Sequence, residues 1–149
     1  MAEGFPDPQH LIPHRGRMLL VERVLDWRAG GVTCQGRIPA DSPFALDGCA
    51  PALVAIELAA QTAAVLEALS RRESGSTAGP RLGYLVSVKA ARFAVHELPL
   101  GEPLVAHVRS AGSAPPLALY DALVQREGSE VMTATLGAYL ATSGILGAP

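Results

Sequence analysis

The sequence contains few charged residues and almost no excess of either sign. Only 17% of its 149 residues are charged, and the formal net charge is −2. A nucleic-acid-binding surface needs clustered Lys and Arg, and a disordered chain combines low hydrophobicity with high net charge, so both classes are disfavoured. Because 49% of the residues are hydrophobic, we expect one folded domain over residues 1–149 with a single core.

Cysteine is equally scarce, and Cys34 and Cys49 do not form a metal-ligand spacing. We therefore expect no metal ion and no cofactor. A secretory signal is also missing, since no basic stretch precedes an apolar run and a cleavage site, so we expect a cytoplasmic protein. Residues 52–69 approach membrane-spanning length, but Glu57 and Glu67 would be costly in a bilayer. We expect a buried helix there instead of a membrane segment.

Aliphatic and β-branched residues predict six strands. Residues 18–27 and 32–38 form a predicted hairpin around the turn at Gly30 and Gly31. Four later strands are predicted in series, with turns that include residues 111–116, as an antiparallel meander. These four strands cover residues 82–95, 104–109, 117–125 and 131–141.

Between the two groups of strands lies a predicted helix. Residues 52–70 are rich in Ala and Leu and contain no Gly or Pro, and Pro51 suits the first helical turn. The polar residues 71–80 then predict a surface loop. A helix that is apolar on most faces must be covered on most faces, so we predict an α+β domain in which a curved antiparallel sheet wraps the helix.

Three sequence blocks, in order along the chain, carry a resemblance to a known family. They read LIPHR and MLLVERV at residues 11–15 and 18–24, IELAAQ at residues 56–61, and KAARF with LPLGE at residues 89–93 and 98–102. In this order they resemble the bacterial β-hydroxyacyl-ACP dehydratases. The resemblance implies a hotdog fold and a 3-hydroxyacyl thioester substrate, carried on acyl carrier protein or CoA.

The resemblance also implies the catalytic groups. In the family, a histidine of one subunit and a helix carboxylate of the other share a site at the dimer interface, as the base and acid that dehydration needs. The carboxylate matches Glu57. The position of the histidine is taken by Pro43, which cannot transfer a proton, although the following Phe44 matches. The backbone N–H of Ala52 would polarise the thioester carbonyl, so Ala52 and Phe44 are the predicted substrate-binding residues.

Other polar residues near these motifs have less specific interpretations. Gln61, one turn after the predicted carboxylate, either orients it or satisfies a buried polar group, and we include it among the catalytic residues. His14 is interpreted as shaping the loop before the first strand, and Thr62 as a packed helix residue. His96 or His107 could supply a relocated base, but neither stands in a family motif.

Three functions follow from this combination of residues. The first is a dehydratase subunit that works with a histidine-bearing partner, because a heterodimer would restore one complete site and a homodimer none. It resembles the divergent dehydratase subunits of fatty-acid-like and aryl-polyene pathways. The second is a hotdog thioesterase that uses Glu57 as base or nucleophile, with Gln61 or Thr62 handling water. The third is a binding protein for acyl thioesters or for a partner, without chemistry.

Overall fold

The computed structural model describes residues 4–76 and 83–141. In this part of the chain, two single-turn 3-10 helices, Pro8–His10 and Gly16–Met18, precede the first strand. One long helix and eight strands follow, in the order β1 (Val21–Arg28), β2 (Gly31–Gly36), β3 (Cys49–Pro51), α1 (Val54–Glu73), β4 (Gly83–Phe93), β5 (Glu97–Pro99), β6 (Leu104–Ala114), β7 (Leu117–Arg126) and β8 (Ser129–Leu140).

Six of the strands form one antiparallel sheet in the order β1-β2-β6-β7-β8-β4. Register shifts interrupt the pairing of β1 with β2, of β4 with β8 and of β6 with β7, and such irregularities bend and twist a sheet. Helix α1 packs against β2, β6, β7 and β8. The predicted α+β arrangement, with a curved sheet around a central helix, is confirmed.

The position of β4 differs from the predicted four-strand meander. Only β6, β7 and β8 pair in series, whereas β4 pairs with β8 and forms one edge of the sheet, and β2 pairs with β6. The segment between β4 and β6 contains the short strand β5, which pairs with β3. This intervening pair takes the chain away from β4, so that β6 joins the sheet beside β2.

Helix α1 begins and ends later than predicted. Pro51 lies in β3 opposite Glu97 and is not in the first helical turn, because the chain must complete this short ladder before the helix starts at Val54. The helix continues through residues 71–73 of the predicted loop, where Arg71 and Arg72 interact favourably with the negative end of the helix dipole. Residues 77–80 of that loop and residue 82 of the predicted strand lie outside the described residues.

The turn between β6 and β7 is shorter than predicted. Strand β6 runs to Ala114, and the chain reverses at Pro115 and Pro116, which lack the N–H groups that a strand ladder needs.

Twelve residues of α1 are buried among the sheet side chains, and no helix in the described part of the chain has the length and apolar character to cross a membrane.

Candidate active site

A cavity of about 360 Å³ lies between α1 and the sheet. Its size is within the usual range for small-molecule sites. The walls are mostly small or apolar and come from α1, β8 and β4; they include Ala60, Ala63, Ala64, Leu85, Leu136, Ala138 and Leu140. Its polar lining is formed by His14, Glu57, Tyr84 and Tyr120. The cavity therefore combines apolar walls with a few polar side chains.

Glu57 projects from the first turn of α1 into this cavity. Its side chain is 37% exposed. One carboxylate oxygen, Oε1, accepts a hydrogen bond from Nε2 of Gln61 at 2.9 Å, and Nε2 of His14 lies 3.5 Å from the same oxygen. The predicted catalytic carboxylate thus accepts a hydrogen bond from Gln61 and lies near His14 while it still reaches the open space of the cavity.

Gln61 is fully buried and uses both ends of its amide. Its Oε1 accepts from the backbone N–H groups of Leu20 at 2.8 Å and Val21 at 3.3 Å, while Nε2 donates to the carbonyl of Met18 at 2.7 Å and to Glu57. The sequence left two roles open for Gln61, and its geometry combines them: the amide satisfies buried backbone groups at the start of β1 and orients the carboxylate.

His14 is the site residue that sequence reasoning placed in a structural role only. The loop that carries it is pinned by Arg15, whose Nη1 donates to the carbonyls of Ile12 and His14 at 2.7 Å each. Burial lowers the pKa of the His14 imidazole, although the charge of Glu57 acts in the opposite direction. The sequence motif around His14 is visible, but nothing in the local sequence indicates that this loop lies over the helix.

The position of the missing histidine lies in a turn away from the cavity lining. Ser42 is buried, and its Oγ accepts from the N–H of Phe44 at 3.2 Å, as in the turns that Ser commonly forms. Phe44 is 49% exposed and, like Pro43, is not among the residues that line the Glu57 cavity. The predicted contact of Phe44 with substrate therefore remains a prediction that depends on a second subunit.

Ala52 is buried just before α1, and its backbone N–H already donates to the carbonyl of His96 at 2.9 Å. This hydrogen bond extends the β3–β5 ladder by one step. Polarisation of a thioester by Ala52 would require that N–H to be shared or released. The role predicted for Ala52 remains a prediction, and Ala52 does not line the Glu57 cavity.

The other candidate histidines do not reach Glu57. His107 lies on β6, where Nδ1 is 3.0 Å from the Thr33 hydroxyl and Nε2 is 2.9 Å from Oε1 of Gln125. It contributes to a second, more open depression of about 630 Å³ formed by β1, β2, β6 and β7 without any helix residue. His96 is exposed, and neither histidine lines the cavity that contains Glu57.

Chemically, the site offers a carboxylate that can give or take a proton in a mostly apolar cavity. A long helix enclosed by a curved antiparallel sheet defines a hotdog-fold protein, and in this one a helix carboxylate faces the cavity. The chain belongs to the ApeP-like family, since the family model described as the ApeP dehydratase matches residues 6–144.

Solved structures agree with this assignment. The chain is similar to the dehydratase heterocomplex ApeI:P from Xenorhabdus doucetiae, with 25% sequence identity, 93% coverage of both chains and a TM-score of 0.84. An uncharacterised protein from Pyrococcus horikoshii is 17% identical, with 86% of this chain and 88% of that chain covered and a TM-score of 0.61. A thioesterase mutant from Pseudomonas aeruginosa is 16% identical, with 80% coverage of both chains and a TM-score of 0.57. These two likenesses concern the fold alone, and no curated protein sequence matches.

Proposed function

We propose that this chain is the carboxylate-bearing subunit of a two-chain dehydratase that acts on 3-hydroxyacyl thioesters. The proposal rests on the fact that this chain has the family's catalytic carboxylate but not its catalytic histidine. Glu57 is oriented by Gln61 and faces a cavity, whereas the position of the family's histidine is Pro43 in a turn. A partner chain would supply the histidine.

The similarity to a dehydratase heterocomplex supports a partner of this kind. In the complete site, the partner histidine removes the α-proton from C2 of the substrate, and the electron pair of that C–H bond forms the C2=C3 double bond. The protonated Glu57 gives its proton to the 3-hydroxyl group, which leaves as water. The products are an enoyl thioester, water and a proton on the histidine. General acid–base groups of this type contribute about 10²–10⁴-fold to rate.

The apolar walls of the cavity support an acyl chain as the part of the substrate that is bound there. The carrier would be acyl carrier protein or CoA, and the pathway would be of the fatty-acid-like or polyene type. The resemblance of the sequence to dehydratases of such pathways is the basis for both statements.

A thioesterase reaction is less compatible with the side chains beside Glu57. The Thr62 hydroxyl donates to the carbonyl of Leu58 at 2.8 Å, and Thr62 is completely buried. The Gln61 amide is occupied by backbone groups and by Glu57. Neither side chain is free to position a hydrolytic water.

The test is a reconstitution with an ApeI-type subunit, a 3-hydroxyacyl thioester and mass-spectrometric detection of products. We expect enoyl thioester only when both chains are present, and a loss of about 10²–10⁴-fold when this chain carries Glu57→Gln. Glu67→Gln, on the same helix, is the matched control and should leave the rate within about threefold. Enoyl product from this chain alone would contradict the partner requirement, and free acid would indicate a thioesterase.

A further inference from the structure

His14 belongs to the same cavity as Glu57, although no step of the proposed reaction uses it. Its Nε2 is 3.5 Å from Oε1 of Glu57, and its side chain is 31% exposed. The backbone around it is fixed by the hydrogen bonds of Arg15 to the carbonyls of Ile12 and His14. The ring is therefore presented to the carboxylate by a defined loop.

The surroundings of the ring determine where its proton lies. Nδ1 of His14 is buried and has no hydrogen-bond partner among the described residues. A protonated ring would bury an unsatisfied N–H at this atom, whereas a neutral ring can leave Nδ1 as an unprotonated nitrogen. Burial accordingly lowers the pKa of His14. The neutral ring then carries its hydrogen on Nε2, on the side of Glu57.

Two N–H groups thus face the same oxygen of the carboxylate. Oε1 of Glu57 has the Gln61 amide at 2.9 Å and the His14 ring at 3.5 Å. The second oxygen, Oε2, has no hydrogen-bond partner within residues 4–76 and 83–141. When Glu57 takes up a proton, we expect that proton on Oε2, because Oε1 already accepts from Gln61 and has the His14 ring 3.5 Å away.

We propose that His14 is a positioning residue of the dehydratase site: together with Gln61 it holds Oε1 of Glu57, so that the acidic proton lies on Oε2 and faces the substrate. This inference rests on the proposed function. In each turnover the O–H bond of Oε2 breaks, its proton joins the departing 3-hydroxyl group as water, and the α-proton passes to the partner histidine. His14 itself exchanges no proton with the substrate.

This role requires a neutral His14, which gives it a pH dependence. The charged groups that act on the ring are Glu57 on α1 and Arg15 on its own loop, and Tyr84 and Tyr120 line the same cavity. A protonated His14 would form an ion pair that keeps Glu57 ionised and unable to serve as the acid. The rate should therefore fall as pH decreases through the lowered pKa of His14.

Two substitutions in the assembled two-chain enzyme distinguish an N–H donor at position 14 from a side chain that only fills space. His14→Phe keeps the ring volume without the N–H and should lower kcat about tenfold, which corresponds to about 1.4 kcal/mol, with KM changed less than about twofold. His14→Gln carries an N–H at a similar reach, and should keep kcat within about threefold. His14→Gln should also remove the decrease in rate at acidic pH that protonation of His14 causes. His10→Phe, at an exposed position in the same segment, is the matched control.

A second measurement does not depend on activity. The charge of Glu57 raises the pKa of His14, so Glu57→Gln in the purified chain should lower the pKa of the His14 ring in an NMR titration. A His14 pKa that is unchanged by Glu57→Gln, or an assembled His14→Phe enzyme with wild-type kcat, overturns the positioning role and leaves the dehydratase function intact. An assembled wild-type enzyme that forms no enoyl product overturns the proposed function, and the positioning role with it.

Discussion

Gln61 connects the stability of the fold to the geometry of the site. Its buried amide meets the N–H groups of Leu20 and Val21 and the carbonyl of Met18, and its remaining N–H reaches Glu57. Buried backbone groups are expensive to leave unpaired. A residue that satisfies them is therefore fixed in place, and it fixes the carboxylate in turn.

Replacement of Gln61 by Met keeps the volume and removes these hydrogen bonds. We expect a loss of about 2–4 kcal/mol in the free energy of unfolding, because each buried group left unsatisfied costs about 1–3 kcal/mol. Urea unfolding with an unchanged m value would measure it. Gln35→Met, which breaks only the exposed contact of Gln35 with Arg23, should cost about 0.5 kcal/mol or less. A loss below about 1 kcal/mol for Gln61→Met would show that water replaces the amide.

The buried phenol of Tyr120 predicts how the stability of the fold changes at alkaline pH. Burial raises its pKa to about 12, and the charge of Glu67 acts in the same direction. Because the folded state then holds the phenol proton more tightly than the unfolded state does, this contribution to stability is complete below about pH 10 and is lost as pH rises toward 12. Tyr120→Phe should make the unfolding free energy less steep between pH 10 and 12 in denaturant titrations. An unchanged slope would contradict a protonated, buried phenol.

The residues of the site differ in how far sequence could predict them. Glu57 and Gln61 stand in one helix motif, and their separation of one turn places them on the same face. His14 was recognised in a motif but not as a neighbour of Glu57. Its contact depends on the loop before β1 crossing the helix, which local patterns do not encode.

At the level of elements, local sequence patterns likewise do not determine helix ends and strand partners. The Ala-rich composition predicted α1 and the aliphatic runs predicted the six long strands. Strands β3 and β5 have three residues each, too few for a periodic pattern, and Pro51 is acceptable both in a short strand and at a helix start. The pairing of β4 with β8 joins distant segments, so the order of the sheet could not be predicted from neighbouring elements.

The two glycines that bound β2 provide a test of how closely this strand approaches the helix. A Cβ on Gly36 would lie 2.5 Å from the carbonyl oxygen of Leu20 and 2.7 Å from Cδ1 of Leu58, whereas a Cβ on Gly31 would lie 3.7 Å or more from its neighbours. We expect Gly36→Ala to cost about 1–3 kcal/mol of unfolding free energy through overpacking. Gly31→Ala, the control at the other end of the strand, should change it by less than about 1 kcal/mol. If thermal and urea unfolding show that the two substitutions lower the unfolding free energy equally, the close approach of Gly36 to Leu20 and Leu58 is contradicted.

At the scale of the whole molecule, the sheet has two unequal edges. Strand β1 forms one edge and β4 the other. All but one of the eleven residues of β4 are exposed, and many are large and apolar: Tyr84, Leu85, Val86, Val88 and Phe93. A long apolar edge strand is a ready site for pairing with another chain. If the proposed two-chain enzyme forms, we therefore expect its partner subunit to pair along β4.

Introducing a charge on this edge should therefore separate the subunits without unfolding this one. Val86 is 57% exposed, so Val86→Glu costs little in the isolated chain, but the carboxylate would be buried without a partner at a covered edge. We expect affinity for the ApeI-type subunit to fall by at least about tenfold in calorimetry, with dehydratase activity restored at high partner concentration. Leu25→Glu, on the opposite edge strand and 39% exposed, should leave binding unchanged. If Leu25→Glu weakens binding and Val86→Glu does not, the partner lies on β1, and Glu57 must meet its histidine by another arrangement.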